Sequence, residues 1–452
     1  MFSEKALPPK TGLGAQKLRK KARLRVRRND EVTARRTQRM DYFRNPQKGF
    51  RKERPKVCGP AASQGKTSAL CSREARRRPR PPAVAEEHGV LFCFSKSGVG
   101  KPPLFLAIRQ AFCYHFSMET FFIQWHLTNF CNLRCRHCYQ ESFSKEADLP
   151  FSRLVEIADN FLPAIRGWNR QACIHLTGGE PLLQPDLFPL LEYLDQNSGV
   201  SELGIITNGL LLDAPAAERL SVFPKLKKLK ISLDGPDPQT NDAIRSVGAF
   251  ERVRQNLFFL PRSGRFEILL MFTVMKRNAS RLLPFIQFAR QAGVDGVILE
   301  RFIPWGRGRS LAEGVLSAPE WRQLVLNLYD FFGLELEENE VPPYQAFQIP
   351  FQDQEAELLG APCVLGTDGL CLMPDGTVFP CRRFPRPIGN LLTDSLKSIW
   401  EKSEVLEKVR RKENLKGKCG TCRIEGCTGC RSLAYALTGD FLAEDPHCWY
   451  SP

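Results

Sequence analysis

Residues 119–138 read Glu119-Thr-Phe-Phe-Ile-Gln-Trp-His-Leu-Thr-Asn-Phe-Cys131-Asn-Leu-Arg-Cys135-Arg-His-Cys138. The first part is rich in aromatic and β-branched residues and predicts a strand over Phe121–Leu127, which runs directly into three thiols on one loop. Structural zinc sites fill four positions with protein ligands, and a 4Fe-4S cluster usually takes four thiolates. Three cysteines on a loop therefore leave one metal position open for something else. His137 is poorly placed to close the set, because it is wedged beside Cys138 on the same tight turn.

Downstream the same alternation recurs. Short β-rich runs at Ala172–Leu176, Glu202–Ile206, Lys228–Leu233, Ile268–Val274 and Gly296–Phe302 are separated by amphipathic stretches, among them Ser152–Ile165 and Leu282–Ala292. Strand and helix in alternation predict an α/β fold built on a parallel sheet. Six such units predict a partial (β/α)6 barrel of the TIM type, in which reactive groups gather at the C-terminal ends of strands. The expected organisation is a basic extension over 1–117 that is disordered or reflects a start codon placed too far upstream, the barrel over 118–310, a connector with a helix at Pro319–Phe332 over 311–362, and a cysteine-rich module over 363–452.

The formal charge of +16 is unevenly placed: residues 1–117 hold 28 Lys and Arg against 8 Asp and Glu, leaving 37 against 41 in the remainder. Segments such as Leu18-Arg-Lys-Lys-Ala-Arg-Leu-Arg-Val-Arg-Arg28 lack hydrophobic periodicity and read as a solvated tail, with aromatics too sparse for stacking nucleic-acid bases. Met118 is a natural start. Ser95-Lys-Ser-Gly-Val-Gly-Lys101 lacks the first Gly and the final Ser or Thr of a phosphate loop. No run of about 18 apolar residues predicts a membrane span, and the longest candidate, Leu104 to Phe116, contains Arg109, Gln110 and His115. Sixteen cysteines in a chain this long, most of them in tight groups after residue 118, point to metal ligation in a reducing cytoplasm rather than to disulfides.

The three-cysteine spacing, with the aromatic His137 before the last thiol, resembles the radical S-adenosylmethionine (SAM) superfamily. That resemblance implies that Cys131, Cys135 and Cys138 hold a catalytic 4Fe-4S cluster. SAM chelates its unique iron and is cleaved to a 5′-deoxyadenosyl radical that abstracts hydrogen from the substrate. Thr177-Gly178-Gly179-Glu180-Pro181, after the second strand, resembles the family's GGE element, so Glu180 is expected to accept from the methionine ammonium. Thr207-Asn208 closes the third strand, and Ser232-Leu233-Asp234 the fourth. By resemblance Ser232 and its polar neighbours reach the ribose and carboxylate, and Arg245 pairs with the carboxylate. Cys173, inside a strand beside His175, reads as a core thiol.

From Cys363 onward come eight further cysteines: Cys363, Cys371, Cys381, Cys419, Cys422, Cys427, Cys430 and Cys448. Eight thiolates would saturate two 4Fe-4S clusters. The module resembles the SPASM domain of radical enzymes, although its last two gaps of four and two residues are each one shorter than the common spacing. The resemblance implies one auxiliary cluster on Cys363, Cys371, Cys381 and Cys430, and a second on Cys419, Cys422, Cys427 and Cys448. A zinc ribbon over Cys419–Cys430 is the alternative there.

Two substrate classes fit such a module. A ribosomally made peptide is the first expectation, because Cys138-Tyr-Gln-Glu and Phe302-Ile-Pro-Trp-Gly-Arg-Gly308 look like peptide maturases; its leader would need a separate recognition protein or the barrel itself. A tetrapyrrole with trimmed side chains, as in haem or haem d1 synthesis, is the alternative suggested by the ending Ala443-Glu-Asp-Pro-His-Cys448. Sulfatase maturation is disfavoured by Arg382, where that group carries Asp. An electron donor such as flavodoxin or ferredoxin is expected. A zinc-binding nucleic-acid protein is the remote alternative, and it leaves the GGE element unexplained.

Overall fold

The structure, a computed structural model, describes residues 120–450 apart from 261–263, 334–345, 353–354, 357, 362 and 425. The basic extension and Met118 lie outside the described residues, as does part of the connector.

Six strands follow the predicted order: β1 (Thr120–His126), β2 (Gln171–Thr177), β3 (Val200–Thr207), β4 (Leu226–Ser232), β5 (Glu267–Val274) and β6 (Gly296–Arg301). Each pairs in parallel with the next. Between them lie α1 (Phe151–Gly167), α2 (Leu187–Gln196), α3 (Ala214–Leu220), α4 (Pro238–Asp242), α5 (Ala249–Phe259) and α6 (Leu282–Ala292). Helix α1 buries Leu154, Ile157, Ala158, Phe161, Leu162 and Ile165, the stripe that a 3.6-residue period places on one face. The strands answer with Phe121, Ile123 and Trp125 on β1 and Ala172, Ile174 and Leu176 on β2, all fully buried. The main core is thus the layer between helices and sheet, and the alternate residues of each strand face inward.

The sheet does not close. It is extended at both ends by later parts of the chain. Past α7 (Ala318–Phe331), whose Ser317 and Glu320 form a reciprocal cap, β7 (Ala346–Gln352) returns antiparallel to β6 and is followed by β8 (Glu355–Ala356) and β9 (Leu359–Ala361). At the opposite edge β10 (Gly369–Leu372) pairs in parallel with β1, from Phe122 opposite Gly369 to Trp125 opposite Leu372. The short strands β11 (Thr377–Phe379) and β12 (Gly389–Asn390) continue from β10.

The cysteine-rich module is therefore built onto the barrel sheet. Asn160 of α1 donates to Leu391 O and Asp394 O at 2.7 and 2.8 Å and accepts from Leu396 N at 3.0 Å. Leu396 opens α8 (Leu396–Lys402), which is followed by α9 (Glu404–Arg410), α10 (Lys418–Thr421) and α11 (Arg431–Thr438). Trp400 of α8 lies edge-on to Phe121 with ring centroids 4.9 Å apart. No helix among the described residues is long and apolar enough to cross a membrane.

Candidate active site

The loop after β1 carries Cys131, Cys135 and Cys138 into a cavity of about 570 Å³ that runs along the inner face of the sheet. Leu133 N donates to Cys131 Sγ and Gln140 N to Cys138 Sγ, both at 3.4 Å, while Asn208 Nδ2 stands 3.8 Å from Cys131 Sγ. Burial pushes all three thiols up, Cys135 to about 12. The thiolate form here thus depends on a bound cation. His137 turns its Nε2 toward Asp234 Oδ2 at 3.1 Å, which takes it away from the thiols.

The loop after β2 packs directly on this cysteine loop. Gly179 N donates to Thr128 O at 2.7 Å and Glu180 N to Phe130 O at 2.9 Å. A Cβ on Gly178, whose φ is +153°, would meet Thr128 O at 2.5 Å, and one on Gly179 would meet Phe130 O at 2.2 Å. Both glycines line the cavity. The close approach they permit is first of all to the cysteine loop itself.

Two carboxylates of the expected site, Glu180 and Asp234, are buried and hydrogen-bonded within the protein. Glu180 is fully buried and accepts from Thr207 Oγ1 (2.7 Å), Asn208 N (2.8 Å) and Leu182 N (3.2 Å). Burial outweighs these donors and pushes its carboxyl up to about 7. Through these bonds Glu180 joins the loops after β2 and β3. Asp234, equally buried, accepts from Thr273 N at 2.8 Å and lies 2.7 Å from Arg245 Nε. Burial alone would raise it, but Arg245 and His137 prevail and hold it at about 2. Arg245, expected to pair with a ligand carboxylate, is thus engaged by Asp234, although it also lines the cavity with Ser232, Thr207 and Asn208.

The eight later cysteines separate into the two expected groups. Cys363, Cys371, Cys381 and Cys430 line the same cavity as the catalytic loop. Cys419, Cys422, Cys427 and Cys448 surround a second, small cavity with Asp445 beside them. Asp445 N donates to Cys419 Sγ at 3.3 Å, and Cys430 N donates to Asp445 Oδ2 at 2.9 Å, so this one residue links the two groups. Asp445 also pairs with Arg301 at the end of β6, Nη1 to Oδ2 at 2.8 Å, with both side chains buried. Sequence reading missed this pair, because no local pattern joins residues so far apart.

The polar inner wall was missed as well. Cys173 is not a core thiol: it faces the cavity, with Sγ 3.6 Å from Glu202 Oε1 and 3.9 Å from His175 Nε2. Lys228 Nζ lies 3.2 Å from the same Glu202 oxygen, and Lys230 faces the cavity on the same strand. The signal was present in Leu226-Lys-Lys-Leu-Lys-Ile-Ser232, where apolar residues alternate with lysines.

The donor set fits an iron–sulfur cluster that lacks one protein ligand: three thiols meet on one loop, Cys131 buried and Cys135 and Cys138 half-buried, facing a cavity lined by polar groups. The Radical SAM superfamily profile matches residues 125–289, and an Iron-sulfur cluster-binding domain, SPASM, matches residues 363–428. The AdoMet-dependent heme synthase of Methanosarcina barkeri (strain Fusaro / DSM 804) is 33% identical over 347 residues, which cover 73% of this chain and 96% of that protein. Mycofactocin maturase MftC of Mycobacterium tuberculosis (strain CDC 1551 / Oshkosh) is 27% identical, covering 72% of this chain and 82% of that one. The structure of native anSMEcpe with bound AdoMet and Cp18Cys peptide superposes with a TM-score of 0.56 at 17% identity, covering 73% and 94% of the two chains. The chain belongs to the radical SAM superfamily, with S-adenosylmethionine and a 4Fe-4S cluster as its cofactors and a SPASM domain for auxiliary clusters.

Proposed function

We propose that this radical SAM enzyme modifies the side chains of a tetrapyrrole, the second of the two substrate classes expected from the sequence. The observation that carries the reading is the 33% identity to an AdoMet-dependent heme synthase over 96% of that protein's length, against 27% and 82% for the peptide maturase MftC. The features that suggested a peptide have a structural explanation. Gly308 N donates to Cys138 O at 2.9 Å and Arg307 N to Gln140 O at 3.1 Å, so the two segments form a seam that fastens the cysteine loop to the end of β6.

In this reading Cys131, Cys135 and Cys138 hold the catalytic cluster, and the wall formed by Gly178, Gly179, Asn208 and Ser232 receives SAM, with His137 and Arg245 kept in place by Asp234. When bound, cluster and SAM together supply a radical able to abstract hydrogen from an unactivated carbon. The protein's task is to hold the substrate carbon beside that radical and keep stray donors out, which an inward-facing cavity under a continuous sheet is suited to do. Cys363, Cys371, Cys381 and Cys430 place an auxiliary cluster on the same cavity, while Cys419, Cys422, Cys427 and Cys448 hold a second one outside it. A flavodoxin or ferredoxin supplies the electron.

The test is anaerobic turnover of the reconstituted chain with SAM, a one-electron reductant and an iron porphyrin bearing four propionate side chains. Formation of 5′-deoxyadenosine in step with a porphyrin of lower mass is expected. If 5′-deoxyadenosine forms at the same rate with and without porphyrin and the porphyrin mass stays constant, the tetrapyrrole reading falls. Coupled turnover of a leader-bearing precursor peptide would restore the peptide one.

A further inference from the structure

The cavity wall is rich in cations, and most are already paired with a carboxylate or held by backbone carbonyls. Lys228 faces Glu202 at 3.2 Å and Glu267 at 3.7 Å, and Arg383 faces Glu300 at 3.3 Å. Arg245 is held by Asp234 and Arg301 by Asp445. Arg431 donates to Phe441 O at 2.9 Å and Ala443 O at 2.6 Å.

Two remain. Lys230 on β4 faces the cavity with no carboxylate of the described residues within ion-pair distance; burial, then the neighbouring Lys228, lowers its amine to about 8. Arg382, next to Cys381, is 7% exposed, and its guanidinium carbon lies 4.6 Å from the Tyr139 ring centroid, with Nε buried and without a hydrogen-bond partner. A buried guanidinium met only by a ring face keeps most of its hydrogen-bonding capacity for something else. Glu202 and Glu300, the carboxylates on the same wall, are committed to Lys228 and Arg383. Among the described residues, and unlike Arg431, which also lacks a carboxylate partner but is held by backbone carbonyls, these two positive groups make no such bonds; they come from two separate elements and both line the cavity.

We infer that Lys230 and Arg382 are substrate-anchoring residues that each bind a carboxylate of a polycarboxylate substrate, fixing which of its side chains lies against the catalytic cysteine loop. This rests on the tetrapyrrole reading and adds to it that propionate-type carboxylates, not the macrocycle alone, are what the cavity recognises. A charge-assisted hydrogen bond to a partly desolvated carboxylate is the strong kind, so each group changes affinity substantially.

The experiment is equilibrium binding to the anaerobically reconstituted chain, using a porphyrin with four free propionates and the same porphyrin with all four capped as neutral amides. The proteins are wild type, Lys230→Met, Arg382→Met, the double variant, and Lys227→Met, which removes the same charge from an exposed position on the same strand. Each cavity variant is expected to weaken the free-acid porphyrin about tenfold, and the double variant further, while the capped porphyrin binds alike to all five and Lys227→Met binds both as wild type does. If wild type prefers the free acid but the cavity variants bind it within about twofold of wild type, the inference is overturned and the tetrapyrrole reading stands. The inference is equally overturned if the variants lose both porphyrins together, which marks a structural role, or if Arg382→Met alters only the electron paramagnetic resonance of the auxiliary cluster, which marks a counter-charge. Wild type binding neither porphyrin overturns the inference and the tetrapyrrole reading together.

Discussion

Gly179→Ala offers a sharp test of how the site is assembled. The added methyl would sit 2.2 Å from Phe130 O, 2.5 Å from Phe130 C and 2.6 Å from Asn129 O, all backbone atoms. Ordinary contact needs more than about 3 Å, so the two loops must part by about 1 Å. They are tied by the hydrogen bonds from Gly179 N and Glu180 N to the cysteine loop, each worth about 1 kcal/mol, and overpacking against backbone adds about 1–3 kcal/mol. The expected loss of stability is about 3 kcal/mol. The catalytic consequence is larger, because Cys131 follows Phe130 directly and a misplacement of about 1 Å near a reacting centre costs about 100-fold in rate. The assay is 5′-deoxyadenosine formation at saturating SAM and reductant, normalised to iron content, with Gly167→Ala as the control. Gly167, at the end of α1, has nothing within 4 Å of the corresponding methyl, and Ala there is expected to be neutral or slightly stabilising. Retention of the wild-type rate within about threefold by Gly179→Ala, or an equal loss in Gly167→Ala, would refute the loop-on-loop reasoning.

Three other perturbations follow from the same geometry. Asp234→Asn leaves Arg245 and His137 facing a neutral amide in a buried place and is expected to destabilise by about 3–5 kcal/mol, with Asp234→Asn/Arg245→Met less damaging than the sum of the single variants; additive losses in thermal melts would show that the pair is not coupled. Replacing Cys131, Cys135 and Cys138 together with Ala is expected to lower iron from about twelve to about eight per chain and abolish SAM cleavage, whereas bound zinc in place of the remaining iron would favour a zinc ribbon in the second cysteine group. Lys230→Met is expected to stabilise the free protein at pH 7. The Lys230 amine is lowered from 10.5 to about 8 on folding, so the burden is fully present below pH 8, and stability rises with pH as the folded form releases a proton that the unfolded chain keeps up to about 10.5. The variant's advantage of about 3 kcal/mol should fade across that window, and a Tm difference independent of pH between 7 and 10 would contradict it.

The legibility of this protein follows the range of the interactions concerned. Six parallel strands, helix α6 at Leu282–Ala292 and the strand-to-cysteine-loop junction were readable because period and ligand spacing are properties of neighbouring residues. The division of eight cysteines into two groups was readable only through resemblance, and the cavities at Cys363 and at Cys419 draw the same division in space. Glu180 and Asp234 were legible as site residues, whereas the protein groups that hold them were not. They are buried among backbone donors and, for Asp234, cations from other loops, and no local spacing encodes that.

By itself the sequence determined the barrel units and the three-thiol loop, since each is written in residues close together along the chain, and through its resemblance to the radical SAM superfamily it implied the radical chemistry. Only the tertiary structure decided that β10 extends the sheet beside β1, that Asp445 ties Arg301 to both later cysteine groups, and that Lys230 and Arg382 reach one cavity without a carboxylate in ion-pair contact among the described residues. Those facts depend on which distant segments share a wall, and long-range strand pairing and the burial of whole faces settle that.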